Sequence, residues 1–317
     1  MSQLQQSYGR NVKIRVYATS IASNNGVPSI KYDNGYTEFG SVQVDGTPGY
    51  RIKGKVIVQN QTTTFASNPI NFSIYNLGKT SRSILESKIA TRVDIFAGYG
   101  TSPKNIAVAN ILWANTHKDR ADYITDVIAG DGHFGLVNGL INKSFSGAVT
   151  NEQVVRALLN SLQGTGIIVG TVTVPSGSLN NGIVLSGSPL RILADFCQKI
   201  GAKVVFQANT VNILPLTADL GNPAILVSED TGMIGIPEVR PPQAIGTITT
   251  AQAATMQNNL FVRMLMRPEI GLGQLLNIQS KFVNGKFVTA RVTHDFDSWS
   301  GPFFTECECF LAGSNYG

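Results

Sequence analysis

A histidine and two aspartates lie close together near the C-terminus, at His294, Asp295 and Asp297. An imidazole beside carboxylates can share a proton in acid–base catalysis or help to hold a cation. Successive residues of a strand point to opposite faces, so His294 and Asp295 diverge if the strand continues through them. The sequence therefore favours a turn at the end of a hairpin, with exposed carboxylates, over an active site or a metal centre.

The three cysteines offer less material for chemistry. Cys307 and Cys309 share one face of a predicted strand, but a structural zinc site normally has four protein ligands and no second cysteine pair exists. Cys197 lies on the apolar stripe of a predicted helix. We expect three buried thiols. Their odd number argues against a disulfide framework and for folding in a reducing compartment, the cytoplasm.

A further polar pair, Asp131 and His133, lies in a glycine-rich segment, residues 130–135. Those glycines predict a turn or an interdomain crossover there rather than a binding site. The chain has only three histidines, and it contains no phosphate-binding loop, nucleophile elbow or zinc-helix motif. We therefore predict no catalytic, cofactor-binding or metal-binding residue, and no enzyme activity.

The composition favours a protein that is covered by other subunits. Hydrophobic residues make up 43% of the chain and charged residues only 14%, where roughly a quarter charged is usual. A weakly charged surface is either wetted by Ser, Thr, Asn and Gln or hidden in an assembly, because neutral surfaces associate. We favour the assembly.

The net charge of +5 does not predict a nucleic-acid partner. Lys and Arg are scattered, and the densest groups, residues 51–55 and 117–120, are short and interrupted, whereas nucleic-acid binding needs a basic face or stripe. No segment approaches the ~18 continuous apolar residues of a membrane span, and the N-terminus lacks the pattern of a signal peptide. We expect a soluble protein with no membrane anchor and no specific nucleic-acid binding.

In residues 1–140 the dominant pattern is an alternation of apolar and polar residues with a period of two. In Val12–Tyr17 apolar side chains alternate with polar ones, as a half-buried strand requires. A loop is expected over Ser23–Gly40 and a short helical turn over Ser81–Lys88. Closely spaced strands separated by turn signals predict an all-β barrel or sandwich. Further strands are predicted at 50–59, 69–77, 91–99 and 105–116.

Residues 141–238 predict a small α+β domain. Thr150 and Gln153 form a capping-box pattern at the start of an amphipathic helix. A second helix is expected from Ser188 to Ile200, with proline in its first turn. A tight strand pair follows around Ala208 and its neighbour asparagine.

Alternation returns in residues 239–317, which predict a second β-barrel. The hairpin there contains an Asn-Gly pair. A two-residue Asn-Gly turn would set Ile278 beside Arg291, whereas a three-residue loop over 283–285 pairs Ile278 with Ala290. We predict the three-residue loop, because it keeps apolar side chains on one face.

The first and third parts appear in the sequence as two copies of one pattern. Residues 71–77 parallel residues 260–266, and each segment is followed by a short helical or turn segment and then by three strands. The second of these three strands ends in Thr-His in each set, at 116–117 and at 293–294. The sequence thus predicts a mainly β protein in which two similar β-barrels flank a small α+β domain.

The segments PINFSIYNLGKTSRSIL and RVDIFAGYG resemble the opening barrel of baseplate hub proteins of contractile-tailed bacteriophages. The segment RPEIGLGQLLNIQSKFVNGKFVTARVTHDFDSWSGPFFTECECF resembles their closing barrel. Two departures are visible: residues 263–267 are more basic than expected of a strand-to-turn segment, and Trp299 has no assigned role.

The resemblance implies a structural hub in the virion tail baseplate, assembled in the host cytoplasm. Its homotrimeric ring would adapt the sixfold tail tube to the threefold central spike, since two barrels per chain give six similar units. The implied partners are the spike, a tube or tube-initiator protein and other baseplate proteins.

Two rival functions are open to the same sequence. One is a glycan- or cell-surface-binding β-module of the tail-fibre type, for which Tyr32, Tyr36 and Phe39 form the one aromatic cluster. The other is a peptidoglycan hydrolase using Asp295 and Asp297.

Overall fold

The computed structural model describes residues 9–17, 19–24, 27–32, 35–43, 46–59, 67–86, 92–216, 218–239 and 260–312. Its N-terminal part is almost entirely strand. The elements are β1 Arg10–Tyr17, β2 Thr19–Asn24, β3 Val27–Tyr32, β4 Thr37–Gly40, β5 Ile52–Gln59, β6 Asn68–Tyr75, α1 Lys79–Glu86, β7 Arg92–Tyr99, β8 Lys104–Asp119 and β9 Asp122–Asp131.

The strands expected from alternation in this part are present, and the short helix lies over Lys79–Glu86 rather than two residues later. The loop predicted over Ser23–Gly40 is wrong, because β3, β4 and the end of β2 fall within it. β2 and β3 pair across residues 25 and 26, which are Asn-Gly, a two-residue hairpin signal. The polar composition of the segment masked that signal.

The middle part contains both helices and short strands. Its elements are α2 His133–Asn138, β10 Ile141–Phe145, β11 Val149–Thr150, α3 Asn151–Asn160, β12 Ile168–Val172, β13 Ser178–Leu179, β14 Ile183–Gly187, α4 Pro189–Lys199, β15 Ala202–Gln207 and β16 Thr210–Pro215.

The helix signals of the middle part are confirmed. The Thr150 hydroxyl accepts a hydrogen bond from the Gln153 amide at 3.2 Å, and the Gln153 side chain accepts from the Thr150 amide at 3.0 Å, so two orphan donors at the start of α3 are satisfied. Pro189 opens α4. β15 and β16 form the expected hairpin, with Ala208 and Asn209 both at left-handed φ, as a two-residue primed turn requires.

The C-terminal part is again all strand. Its elements are β17 Ile225–Ser228, β18 Met233–Val239, β19 Leu260–Leu265, β20 Leu275–Gln279, β21 Asn284–Asp297 and β22 Phe303–Leu311.

The predicted three-residue hairpin loop is wrong. β20 and β21 are joined by four residues, 280–283, and Ile278 lies opposite Gly285 while Leu276 lies opposite Phe287. The Ser280 side chain closes this loop, since its hydroxyl accepts from the Val283 amide and donates to the Val283 carbonyl, both at 2.9 Å. The observed loop begins earlier in the chain than the predicted one, and its register also keeps apolar side chains on one face. The Asn-Gly pair pointed to a different register.

One 13-stranded sheet runs through both terminal parts, and it contains the same arrangement of six strands twice. We call β1 with β5 to β9 the first repeat and β17 to β22 the second repeat. The strand orders are β5-β6-β9-β8-β7-β1 and β18-β19-β22-β21-β20-β17. One pairing differs, because β1 runs antiparallel to β7 whereas β17 runs parallel to β20.

A bulge in the long strand of each repeat fixes which residues are equivalent. It falls at Leu112 in β8 and at Ala290 in β21. Counting from the bulges makes Thr116 equivalent to His294, and each bonds a threonine on the next strand, at 2.9 and 3.0 Å. The two Thr-His pairs seen in the sequence are therefore offset by one residue, although the repeat itself is present.

Three apolar clusters lie under these elements. One lies under the first repeat, one fills the middle part between α3, α4 and β15, and one lies within the second repeat. The first cluster also takes in Phe296 and Phe303 from the second repeat and Val205 from the middle part. The mainly β class with an α+β middle part is thus confirmed, while closure of each repeat into a barrel stays a prediction.

Candidate functional site

The two repeats meet along one strand pair, which we call the junction. β5 runs antiparallel to β21, from Gln59 opposite Arg291 to Lys53 opposite Asp297. The histidine and both aspartates singled out in the sequence lie on β21 within this pair. The junction is therefore the place where the candidate chemistry and the repeat architecture coincide.

His294 is fully buried and points into the core. Its Nδ1 lies 3.0 Å from the Thr305 hydroxyl on β22. Burial lowers the pKa of this imidazole to about 4, so the ring is neutral at pH 7. Its role is to fill and bond the interior of the sheet.

Asp295 lies on the opposite face from His294, as alternation predicted. Its carboxylate is 3.7 Å from the Lys55 ammonium across the junction. Burial raises the pKa of Asp295, and the Lys55 charge opposes that rise. The pair is a cross-strand ion pair that helps to set the register of β5 against β21.

Asp297 is buried, so the expectation of exposed carboxylates in a turn is wrong. The strand continues through Asp297 because β5 pairs with it. One carboxylate oxygen accepts from the Arg51 guanidinium at 2.8 Å and the other accepts from the Trp299 amide at 2.9 Å. The hydrogen bond to Asp297 raises the pKa of Arg51, and both groups are committed to this structural contact.

Trp299, which had no role in the sequence, covers that ion pair. The Arg51 guanidinium lies 5.8 Å from the Trp299 ring and 4.8 Å from the Tyr75 ring, within cation–π range. These side chains and Tyr50 line an open groove of about 1020 Å³ at the junction. Its walls present an aromatic surface around an arginine that is already paired.

Asp131 joins the first repeat to the middle part. Its carboxylate accepts from the Ala208 and Asn209 amides at 2.7 and 2.8 Å, and the Asn209 side chain accepts from the Gly132 amide at 2.9 Å. Burial raises the pKa of Asp131 to about 7. The turn expected at this segment is present, and α2 begins at His133 directly after it.

The cysteines are buried thiols, as expected. Burial raises the pKa of Cys197 to about 12 and raises that of Cys309 as well, so neither is a reactive thiolate at neutral pH. Within the described residues, no three His, Cys, Asp or Glu side chains gather closely enough to hold a metal ion. The contacts described above give His294, Asp295, Asp297 and Asp131 structural roles.

The aromatic cluster proposed for glycan binding is not assembled. Phe39 is 2% exposed and belongs to the core, whereas Tyr36 is 49% exposed. Tyr36 packs on Tyr17 and on the Arg15 guanidinium. The side chain of Tyr32 lies outside the described residues.

The basic segment 263–267 is neutralised by acids on neighbouring residues. Arg263 donates to Glu306 on β22 at 2.7 Å, and Arg267 pairs with Glu269. The segment therefore carries ion pairs along the sheet rather than an isolated positive patch. None of the helices in the described part of the chain is long and apolar enough to cross a membrane.

The strand β5 was predicted from alternation, but its pairing with β21, which forms the junction, was not. Gly54, within the alternating pattern of β5, was an available signal, because a glycine inside a strand often marks a close approach of other chain segments. An added Cβ there would lie 2.6 Å from the Asn71 carbonyl oxygen and 2.8 Å from the Phe296 ring.

No protein-family model matches this chain, and no curated protein matches its sequence significantly. Solved structures do share its fold. The 43 kDa tail protein of prophage MuSo2 from Shewanella oneidensis superposes with a TM-score of 0.59 at 10% identity, covering 95% of this chain and 99% of that one. A tail protein from Neisseria meningitidis MC58 gives 0.60 at 11% identity, covering 97% and 98%.

A third structure links the fold to a secretion machine. The Escherichia coli c3393 protein, a type VI secretion component described as structurally similar to T4 phage tail proteins gp27 and gp5, gives a TM-score of 0.55 at 10% identity, covering 84% of this chain and 75% of that one. The chain therefore has the fold of these phage tail proteins, and the resemblance to proteins of the phage tail is confirmed at the level of the fold.

Proposed function

We propose that this chain is a structural hub of a contractile phage tail baseplate, which forms a homotrimeric ring between the sixfold tail tube and the threefold central spike. The fold that it shares with phage tail proteins supports a place in the virion tail. On this proposal its partners are the spike, a tube or tube-initiator protein and other baseplate proteins, and it is assembled in the host cytoplasm.

The observation that carries the proposal is the repeated order of six strands within one sheet. A threefold assembly can present a sixfold face only if each chain supplies the contacting unit twice. The two repeats have the same strand order and corresponding bulges. On the proposal each repeat forms one barrel-like domain. The first lies within residues 1–140, and the second begins at β17 rather than at the expected boundary of 239, because β17 and β18 belong to the second repeat. The residues between the two repeats form the middle domain.

The junction supports the same assembly. Because β21 pairs with β5, two repeats stand side by side as neighbouring units of one continuous sheet within a single chain. The low charge content of 14% fits a protein whose surface is largely covered by partners. No catalysis is required in this role, and Asp295 and Asp297 are engaged by Lys55 and Arg51.

The proposal predicts the mass of the purified protein. Native mass spectrometry should find three chains of 34.0 kDa each in one particle, either for the protein alone or after coexpression with its cognate spike. A glycan-binding module of the tail-fibre type would need no threefold ring of this kind. Monomers under both conditions would contradict the hub assignment.

A further inference from the structure

The long strand β8 pairs with a different strand along each of its two halves. Its first half, Lys104–Asn110, pairs with β7. Its second half, from Ile111 to Asp119, pairs with β9, and no other strand in the described residues lies along its outer side. This stretch therefore presents a row of strand-edge groups.

The equivalent stretch of the second repeat is covered. The second half of β21, Arg291–Asp297, pairs with β22 on one side and with β5 on the other. β5 is the first strand in the order of the first repeat, next to β6. The strand in the same position of the second repeat is β18. β18 is the terminal strand of the sheet order, next to β19.

Both edges carry exposed apolar side chains. On β8, Leu112 and Trp113 are 44% and 49% exposed, and on β18, Ile234, Ile236 and Val239 are 41%, 58% and 66% exposed. An exposed strand edge with apolar side chains is a template for pairing with another chain, and soluble monomers usually block such edges. The two edges can complement each other, because β8 corresponds to β21 and β18 corresponds to β5. Inside the chain, β21 and β5 pair with each other.

We propose that the end of β8, from Thr116 to Asp119, pairs antiparallel with β18 of a second copy of this chain. This inference rests on the proposed ring and names the surfaces that close it. The contact would repeat the junction between chains, and because it joins two different edges it is head-to-tail, the type that closes into a ring.

The register follows from the junction. There, Asp295 lies opposite Lys55. Counting from the bulges makes His117 the equivalent of Asp295. The pairings of β5 with β6 and of β18 with β19 make Glu238 the equivalent of Lys55, with two additional residues between Ile234 and Glu238.

His117 of one copy therefore lies opposite Glu238 of the next, in the position that Asp295 and Lys55 take in the junction. Within the chain, His117 already has a carboxylate 3.4 Å from its ring, that of Asp126 on β9. A second acid from the neighbouring copy would hold the imidazole between two carboxylates. Thr116 would lie opposite Val239 one position further along.

Paired cysteines test this register in the full-length protein. In His117→Cys with Glu238→Cys, oxidation should link copies head-to-tail and produce covalent dimers and trimers on a non-reducing gel. The matched control is Lys55→Cys with Asp295→Cys, which lie opposite each other inside one chain and should close without changing the mass. Lys118→Cys with Glu238→Cys places the thiols on opposite faces and should link poorly.

The outcomes separate the pairing from the proposed function. A native trimer that crosslinks through 117 and 238 supports both. A native trimer that does not crosslink there, or crosslinks equally through 118, overturns this pairing and leaves the hub assignment standing. A monomer that shows only the intrachain control crosslink overturns both.

A charge exchange gives an independent readout. Glu238→Lys should weaken trimer formation at least about tenfold, since it removes the acid that faces His117 and puts a lysine in its place. His117→Asp combined with Glu238→Lys recreates the junction's own Asp–Lys pair and should restore the trimer. Failure of the double variant to recover assembly while Glu238→Lys alone abolishes it would count against the register.

Discussion

Replacing Gly54 with alanine is expected to destabilise the protein by about 3 kcal/mol, the upper range for overpacking a filled interior. An added Cβ at Gly54 would lie 2.6 Å from the Asn71 carbonyl oxygen, 2.7 Å from the Phe72 Cβ and 2.8 Å from the Phe296 ring. Two of these atoms belong to or lie next to the backbone of β6 and cannot move without shifting that strand. The loss should appear as a lower midpoint in chemical denaturation.

Gly78→Ala is the matched control for this substitution. Gly78 precedes α1, and an added Cβ there would meet nothing within 4 Å, so the change should be close to neutral. Because Gly54 lies in the junction, its alanine variant should also reduce the fraction of assembled ring. Equal stability of the two variants would mean that β5 and β21 are not packed as described.

Replacing Asp131 with alanine is expected to cost about 3 kcal/mol or more. The change leaves the buried amides of Ala208 and Asn209 without their acceptor, and each buried unsatisfied donor costs roughly 1 to 3 kcal/mol. Asp119→Ala, at the exposed end of β8, is the control and should change the free energy of unfolding little. Since Asp131 ties β9 to the turn between β15 and β16, limited proteolysis should also release the middle part more readily.

The same carboxyl group predicts how stability depends on pH. Burial raises the pKa of Asp131 from 3.8 to about 7 in the folded protein, so the folded state holds the proton more tightly than the unfolded chain does. The resulting stabilisation is fully present below about pH 4, declines as the pH rises and is lost above about pH 7. Asp131→Asn should flatten this part of the profile, and an unchanged profile would contradict the assignment.

Local patterns in the sequence predicted most individual elements. Alternation located the strands of the first repeat and β19 to β22 of the second, whereas β17 and β18 were not predicted, and the Thr150 capping box located α3 to the residue. The failures arose where two local signals competed. At residues 23–40 a polar composition outweighed the Asn-Gly hairpin signal, and at Asn284 the Asn-Gly signal outweighed a loop closed by the Ser280 side chain.

The junction could not be predicted from local patterns, because β5 and β21 lie more than 200 residues apart in the chain. The same gap explains the error at Asp297. An aspartate after a strand is typical of an exposed turn, and nothing nearby in the sequence shows that Arg51 comes to pair with it. The burial of His294 likewise depends on the distant strand β5, which extends the sheet over the end of β21.

The central claim is that three copies of a twice-repeated unit imitate a sixfold ring, and cryo-electron microscopy of the assembled protein tests it most directly. The account predicts a trimer in which the first and second repeats lie at the same radius and are related by a rotation of about 60° around the threefold axis. A reconstruction that places the two repeats at different radii, or that shows them facing in unrelated directions, would contradict it.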